Sequence, residues 1–294
     1  MDFRAIGMGL IFALIWSSAF TSARMIVEAA PPLYALVLRF GLAGLIGVAV
    51  AKALGQHWKF SAKQWGGILI FGTCQNAIYL GLNFIAMQTV EAGLAAIIAS
   101  SMPLLVATAN WAFFRETLPK LGIFGLIAGF TGVALIMSQR LTGGADVMGL
   151  ALCVIAAVAL TIATLAVRSA SASGGNVMMT VGLQMAVGSI VLLPFALIFE
   201  TPEFDMSQRL FWAFTYTTLA PGLLATWIWF LLVARIGATR AATFHFLNPF
   251  FGVAIAAALL GEQLSLADII GVAIIAGGIL AVQLARVTPT PPSS

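Results

Sequence analysis

Three polar or aromatic residues within one apolar stretch of the chain, Asn76, Tyr79 and Asn83, have the chemistry to hold a small solute. Their spacing of i, i+3 and i+7 places them on one face of a helix. Amide groups donate and accept hydrogen bonds, and a phenol ring offers an aromatic surface, so this face suits a zwitterionic solute. The alternative is that Asn76 and Asn83 only bond to neighbouring helices.

Further polar and aromatic side chains lie in other apolar stretches, and we predict that they join the same site. The candidate binding residues are Trp16, Asn76, Tyr79, Asn83, Ser100, His245, Phe246 and Asn248. Ser100 lies just before Pro103, and His245, Phe246 and Asn248 lie just before Pro249. A proline removes one helical hydrogen bond, so both prolines are candidate kinks or gates, with a static kink as the alternative.

Few titratable side chains lie inside the apolar stretches. His245 has the chemistry of a proton carrier, although a hydrogen-bonded packing role is commoner. Arg39 has the charge to bind a solute carboxylate, but we favour a structural bond to helix-end carbonyls. Glu91, Glu116 and Glu262 lie only at the ends of apolar stretches, which favours transport without ion coupling.

An embedded enzyme is a weaker interpretation of the same residues. Ser17 or Ser18 with His245 would be the nucleophile and base, yet no acid is placed to orient the histidine. Cys74 and Cys153 both fall in apolar stretches, as buried small side chains do. We therefore predict no catalytic residue, no metal site and no cofactor.

Composition identifies the elements that must position these residues. Of 294 residues, 61% are hydrophobic and 8% are charged, against about 25% charged in a soluble domain. The apolar residues form blocks of roughly 20, the length of a membrane-spanning helix. We predict an all-α membrane protein with ten spans, at 5–25, 33–52, 65–88, 92–114, 121–139, 147–167, 176–199, 210–234, 238–260 and 268–286.

Charge sets the predicted topology. With the first span running outward, one side holds Arg4, Lys52, Lys59, Lys63, Arg115, Lys120, Arg168, Arg235, Arg240 and Arg286, and the other holds Arg24, Arg140 and Arg209. This bias predicts that both termini are cytoplasmic, in a multi-pass protein of the bacterial inner (plasma) membrane. The basic residues are scattered over loops, which argues against a nucleic-acid partner.

An internal repeat divides the chain. At a shift of 146 residues Pro103 falls on Pro249, and Gly125 and Gly132 fall on Gly271 and Gly278. Further aligned pairs are Ala92, Ala95 and Ala96 with Ala238, Ala241 and Ala242, and Glu116 and Leu118 with Glu262 and Leu264. We predict repeats at 1–142 and 143–288, followed by a disordered tail at 289–294. Five spans in each repeat make the copies inverted, an architecture of transporters.

Several motifs resemble the EamA-type half-domains of the drug/metabolite transporter superfamily over nearly the whole chain. They are Trp16-Ser17-Ser18-Ala19-Phe20, Leu38-Arg39-Phe40, Ser101-Met102-Pro103 leading to Arg115-Glu116-Thr117-Leu118, and Asn248-Pro249 leading to Gly261-Glu262-Gln263-Leu264. In size and aromatic content the chain is similar to the YddG-type exporters of aromatic amino acids. The resemblance implies a carrier of small solutes.

We therefore expect alternating-access, facilitative export of aromatic or bulky neutral amino acids. Proton-coupled export of other metabolites or organic-cation drugs is the alternative, and a channel is the rival class. Sugar phosphates would require several buried cations, and only Arg39 qualifies. The expected partners are a small-molecule substrate and the bilayer, for a monomer or, alternatively, a dimer. We expect the first, third, fourth, sixth, eighth and ninth spans to line the cavity, with the fifth and tenth outside it.

Overall fold

The computed structural model describes residues 3–113, 118–170, 176–236, 241 and 243–287. Ten helices run through these ranges: α1 (Phe3–Val27), α2 (Pro32–Ala53), α3 (Ala62–Ala86), α4 (Ala92–Phe113), α5 (Lys120–Thr142), α6 (Val147–Ala170), α7 (Val177–Phe199), α8 (Gln208–Ile236), α9 (a 3-10 turn at Thr243–Leu247, then Asn248–Leu260) and α10 (Leu266–Val287). Arg115, Glu116, Thr117, Ala238, Arg240, Ala242 and the tail 289–294 lie outside the described residues.

The helices have the length and composition that a bilayer requires. Nine described helices are long and apolar enough to cross a membrane, and Phe244–Leu260 is a shorter apolar helix. The predicted all-α fold with ten spans is confirmed. Helices satisfy their own backbone groups where lipid offers no hydrogen bonds. We call the end of the bundle with loops 28–31, 87–91, 143–146, 200–207 and 261–265 the distal face, and the end that carries the N-terminus the proximal face.

Helix irregularities recur at repeat-equivalent positions. A π-helical segment interrupts α3 at Gly72–Tyr79, and a second interrupts α8 at Thr218–Ala225, so the two begin 146 residues apart. The straight part of α4 resumes at Met102, and that of α9 resumes at Asn248, again 146 residues later. Pro103 and Pro249 therefore each occupy the second position of a new helical segment, where the missing amide costs no helical hydrogen bond.

Two helix pairs pack through glycine. A Cβ on Gly278 of α10 would lie 2.6 Å from the carbonyl oxygen of Gly125 in α5, and one on Gly132 would lie 3.0 Å from that of Gly271. Gly125 aligns with Gly271 and Gly132 with Gly278, so the contact obeys the internal two-fold symmetry. In the second pair, a Cβ on Gly47 of α2 would lie 2.9 Å from the Cα of Gly182 in α7. Such close backbone approach needs glycine.

The α2–α7 pair is also tied at both ends by side chains. At the distal face Glu200, after α7, accepts hydrogen bonds from the amides of Leu33 and Tyr34 in α2, all at 3.0 Å. At the proximal face Gln56, after α2, accepts one from the amide of Met179 in α7 at 3.0 Å. Each helix of the pair therefore caps the free amides at the start of the other.

Candidate functional site

A pocket lies among α1, α2, α3, α7 and α8. Its lining residues are Trp16, Ala19, Phe20, Ala23, Arg39, Gln75, Asn76, Tyr79, Leu80, Asn83, Phe84, Met87, Met185, Pro221, Gly222 and Thr226. Met185 and Gly222 lie near the middles of α7 and α8, whereas Met87 follows the distal end of α3. The pocket therefore extends from mid-membrane towards the distal face.

The pocket is narrow in this conformation. About 30 Å³ of it is open to the centres of water molecules, which is room for about two waters at roughly 10–15 Å³ each. A larger solute can enter only if side chains or helices move apart.

The predicted face of α3 forms one wall of the pocket. Asn76, Tyr79 and Asn83 all line it and are 0%, 1% and 2% exposed. Asn76 and Tyr79 belong to the π-helical segment, which changes the direction in which successive side chains point. The spacing argument is therefore right that these residues share a face, although the helix that positions them is not a regular α-helix.

The amide groups of this wall are only half satisfied. The Nδ2 of Asn76 donates to the carbonyl oxygen of Gln184 at 2.9 Å, and the Nδ2 of Asn83 donates to that of Tyr79 at 2.9 Å. Because a carbonyl only accepts, these bonds fix the orientation of both amides. The buried Oδ1 atoms of Asn76 and Asn83 have no hydrogen-bond partner. Both are therefore unused acceptors in residues that line the pocket.

Arg39 lies in the same pocket. It is 4% exposed, and its Nε has no hydrogen-bond partner. Its Nη2 lies 3.7 Å from where a Cβ of Gly222 would stand, and its guanidinium carbon lies 5.1 Å from the ring centre of Phe40. The expected bond from Arg39 to helix-end carbonyls is absent among the described residues. A bound anion would find this charge free to pair.

Aromatic side chains form the rest of the wall. Trp16 and Phe20 of α1 face the pocket together with Tyr79 and Phe84 of α3. Trp16 also packs on Phe12, with ring centres 5.5 Å apart. An apolar aromatic wall beside two amide oxygens suits a solute that has a polar end and a ring.

Six of the predicted site residues lie away from this pocket: Ser100, Pro103, His245, Phe246, Asn248 and Pro249. Several of their polar groups have a hydrogen-bond partner nearby, whereas the buried Oδ1 of Asn248 has none. Ser100 Oγ donates to the carbonyl oxygen of Ala96 at 2.6 Å, and Asn248 Nδ2 lies 2.8 Å from His245 Nδ1. In this conformation Ser100 Oγ and His245 Nδ1 are therefore each engaged by an atom of the same helix.

His245 belongs to an aromatic cluster on the proximal side of the pocket. The ring centre of His245 lies 5.4 Å from that of Phe12 and 5.0 Å from that of Trp229. The ring centres of Phe12 and Trp229 lie 4.9 Å apart. Ser17 Oγ donates to the carbonyl oxygen of Asn248 at 3.3 Å, and Ser18 Oγ lies 2.6 Å from the Tyr216 hydroxyl. The serines and the histidine do not form a nucleophile–base pair, and the described residues contain no group of metal ligands.

The set of lining helices differs from the expected one. α1, α3 and α8 take part, and α5 and α10 pack on each other outside the pocket, as expected. However, α2 and α7 contribute Arg39 and Met185, whereas the pocket contains no residue of α4, α6 or α9. The polar residues before Pro103 and Pro249 suggested α4 and α9. In α4 the hydroxyls of Ser100 and Ser101 bond to carbonyl oxygens of their own helix, and in α9 the amide of Asn248 bonds to the ring of His245.

Sequence reasoning predicted four of the sixteen lining residues as binding residues, and those that it did not predict include Gln75, Met185, Pro221, Gly222 and Thr226. A signal was present for one region, because Pro221 and Gly222 interrupt the eighth span where the repeat aligns it with Gln75 and Asn76. Helix breakers at corresponding positions of the two halves point to a binding site. Met185 has no such signal.

Charged residues hold the distal face together. Arg140, at the end of α5, pairs with Glu91 at 2.7 Å and with Asp268 at 2.9 Å. Arg24, at the end of α1, pairs with Glu28 at 3.0 Å and donates to the carbonyl oxygen of Met87. These bonds connect the distal ends of α1, α3, α4, α5 and α10.

Comparison with known proteins identifies the family. The model of the EamA-like transporter family matches residues 3–138 and again residues 147–284. The chain belongs to the EamA-like transporter family. The resemblance to the drug/metabolite transporter superfamily is thereby confirmed, and the chain is a multi-pass membrane protein.

Relatives that match this chain over most of their length are named as transporters. The uncharacterized transporter YvbV of Bacillus subtilis is 27% identical over 280 residues, covering 92% of this chain and 88% of the relative. The uncharacterized inner membrane transporter YedA of Escherichia coli is 24% identical over 289 residues, covering 95% and 90%. A protein of known crystal structure superposes with a TM-score of 0.71 at 19% identity, covering 97% of this chain and 99% of that one. That likeness concerns the fold.

Proposed function

We propose that this EamA-like transporter exports aromatic or bulky neutral amino acids from the cytoplasm across the bacterial inner membrane. The observation that carries the proposal is the wall of α3, where the free Oδ1 atoms of Asn76 and Asn83 stand beside the ring of Tyr79. Two carbonyl-type acceptors suit an ammonium group, and the aromatic residues suit a large apolar side chain. The inner membrane is the location named for the relative YedA.

Alternating access accounts for the two copies of the fold. We propose that the repeats comprise residues 1–142 and 143–288 and that they exchange conformations around the pocket. The π-helical segments of α3 and α8, which lie at equivalent positions, support this proposal. Both contribute to the pocket, through Asn76 in one repeat and Gly222 in the other.

Transport without obligatory ion coupling fits the chemistry of the pocket. Among the residues that line it, none is an aspartate, a glutamate or a histidine. His245 packs against Phe12 and Trp229 instead. A proton carrier at the solute would need a titratable group within reach.

The test is counterflow in liposomes that contain the purified protein. Liposomes loaded with unlabelled phenylalanine are expected to accumulate labelled phenylalanine transiently, with and without a pH gradient, and to accumulate labelled alanine less. Counterflow identifies a carrier, because a channel does not couple the two fluxes. Absence of counterflow for every amino acid, with transport of an organic cation or a nucleoside instead, would reject the proposed substrate class. Flux only under a proton gradient would reject the uncoupled mechanism.

A further inference from the structure

Arg39 is a buried cation without a counter-charge among the described residues. Among the residues that the structure describes, Arg24, Arg140 and Arg209 form ion pairs at the distal face. Arg39 instead lies in the pocket with its Nε unpaired. A guanidinium taken out of water is costly to keep unless an anion pairs with it. The pocket therefore has a place for a negative group.

The unpaired donors and acceptors of the pocket are complementary to one kind of molecule. Arg39 supplies donors and a positive charge, while Asn76 and Asn83 supply two free carbonyl oxygens. A carboxylate group pairs with the guanidinium of Arg39, and an ammonium group bonds to the two carbonyl oxygens. An α-amino acid carries both groups on one carbon atom. An amine or an organic cation carries a positive group but no carboxylate.

We propose that the guanidinium of Arg39 binds the carboxylate of the transported solute and so restricts transport to carboxylic acids. The proposal rests on the proposed function and adds to it the group that selects the substrate. Among the lining residues, Arg39 comes from α2 and its Nη2 lies 3.7 Å from where a Cβ of Gly222 in α8 would stand, whereas Trp16 and Phe20 come from α1. The carboxylate would thus point towards α2 and α8, and the side chain of the solute towards Trp16 and Phe20.

The first experiment is competition with analogues in the wild-type protein. Counterflow of labelled phenylalanine is measured in liposomes with unlabelled phenylalanine, phenylalaninamide, 2-phenylethylamine or 3-phenylpropionate added. The amide and the amine lack a carboxylate, and we expect them to compete at least tenfold more weakly than phenylalanine. Phenylpropionate keeps the carboxylate and is expected to compete better than either of them.

The second experiment replaces the guanidinium. In Arg39→Met we expect the concentration of phenylalanine needed for half-maximal counterflow to rise at least tenfold, and the preference over phenylalaninamide to disappear. Arg39→Lys keeps a charge but not the bidentate fork, so an intermediate loss is expected. The matched control is Gln283→Met, since Gln283 is 3% exposed with an unpaired Oε1 but lies in α10, outside the pocket. It should retain both affinity and preference.

The outcomes separate the two proposals. Wild-type counterflow of phenylalanine with equal competition by the amide and the amine would overturn the role of Arg39 and leave the proposed function standing. Unchanged affinity in a folded Arg39→Met variant would do the same. No counterflow of any amino acid would reject the proposed function itself. If Arg39→Met does not fold, wild-type competition and Arg39→Lys still decide the question.

Discussion

The carboxylate of Glu262 accepts a hydrogen bond from the amide of Ala92 at 2.7 Å, which ties the loop after α9 to the first residue of α4. A second bond comes from the amide of Gly93 at 2.9 Å. The start of a helix favours a negative charge. Nevertheless, burial, with a smaller contribution from the neighbouring charge of Glu91, raises the pKa of Glu262 above its usual value. Glu262 is thus a titratable contact between the two repeats.

The raised pKa predicts how stability changes with pH. The folded protein holds the Glu262 proton more tightly than the unfolded chain does, so this group adds stability at low pH and loses that contribution as pH rises through the raised pKa. We expect the Tm of the wild type, relative to that of Glu262→Gln, to increase as pH falls from about 7 to about 4. Glu203→Gln, at an exposed carboxylate of the same face, is the control. A constant difference across this range would contradict the prediction.

Glycine contacts between α5 and α10 predict a sharp contrast between two neighbouring positions. A Cβ on Gly278 would meet the backbone of Gly125 and Gly129 at 2.6 Å, whereas one on Gly277 would meet nothing within 4 Å. Gly278→Ala should therefore destabilise the protein by about 1–3 kcal/mol. Gly277→Ala should be neutral or slightly stabilising, because alanine favours the helix. Thermal unfolding in detergent measures both, and equal Tm values would contradict the close approach.

Trp16 and Tyr79 predict selectivity for rings. Stacking on an aromatic side chain contributes on the order of 1 kcal/mol beyond area burial, or roughly fivefold in affinity. Trp16→Ala and Tyr79→Ala should therefore weaken counterflow of phenylalanine more than that of alanine. Trp212→Ala is the control, because Trp212 is 60% exposed and lies outside the pocket. Equal losses for the two amino acids would argue against an aromatic site.

The free oxygens of Asn76 and Asn83 predict a loss that does not depend on the solute's side chain. Asn76→Ala and Asn83→Ala should each reduce the affinity for phenylalanine and alanine alike, by about 1 kcal/mol or fivefold, as expected for one hydrogen bond. Asn110 is the matched control: it is 1% exposed with an unpaired Nδ2, but it lies in α4 outside the pocket. An effect of Asn110→Ala as large as theirs would mean that buried amides matter only for folding.

Labelling of single cysteines tests the predicted topology. Ser61 is exposed at the proximal face and Ser207 at the distal face. With both termini cytoplasmic, Ser207→Cys should react with an impermeant maleimide added to intact spheroplasts, and Ser61→Cys should react only after lysis. The unsubstituted protein controls for Cys74 and Cys153. The reverse pattern would invert the orientation.

Sequence alone determined the properties that depend on local pattern. Blocks of apolar residues are long enough to span the bilayer whatever their neighbours are, so the ten helices could be predicted. The 146-residue repeat predicted two inverted halves, and it also aligns Gly125 and Gly132 with Gly271 and Gly278. Helical spacing placed Asn76, Tyr79 and Asn83 on one face, which the structure places in the pocket.

Only the tertiary structure decided which faces meet. Arg39 and Asn76 come from different helices, and their joint position in the pocket depends on how α2 and α3 pack and rotate. From the sequence, Ser100 and Asn83 are both predicted binding residues, because each is a polar residue within an apolar stretch. In the folded chain the hydroxyl of Ser100 is used within its own helix, whereas Asn83 keeps a free oxygen. The rotation of each helix depends on its contacts with distant segments, and helical spacing in the sequence does not determine those contacts.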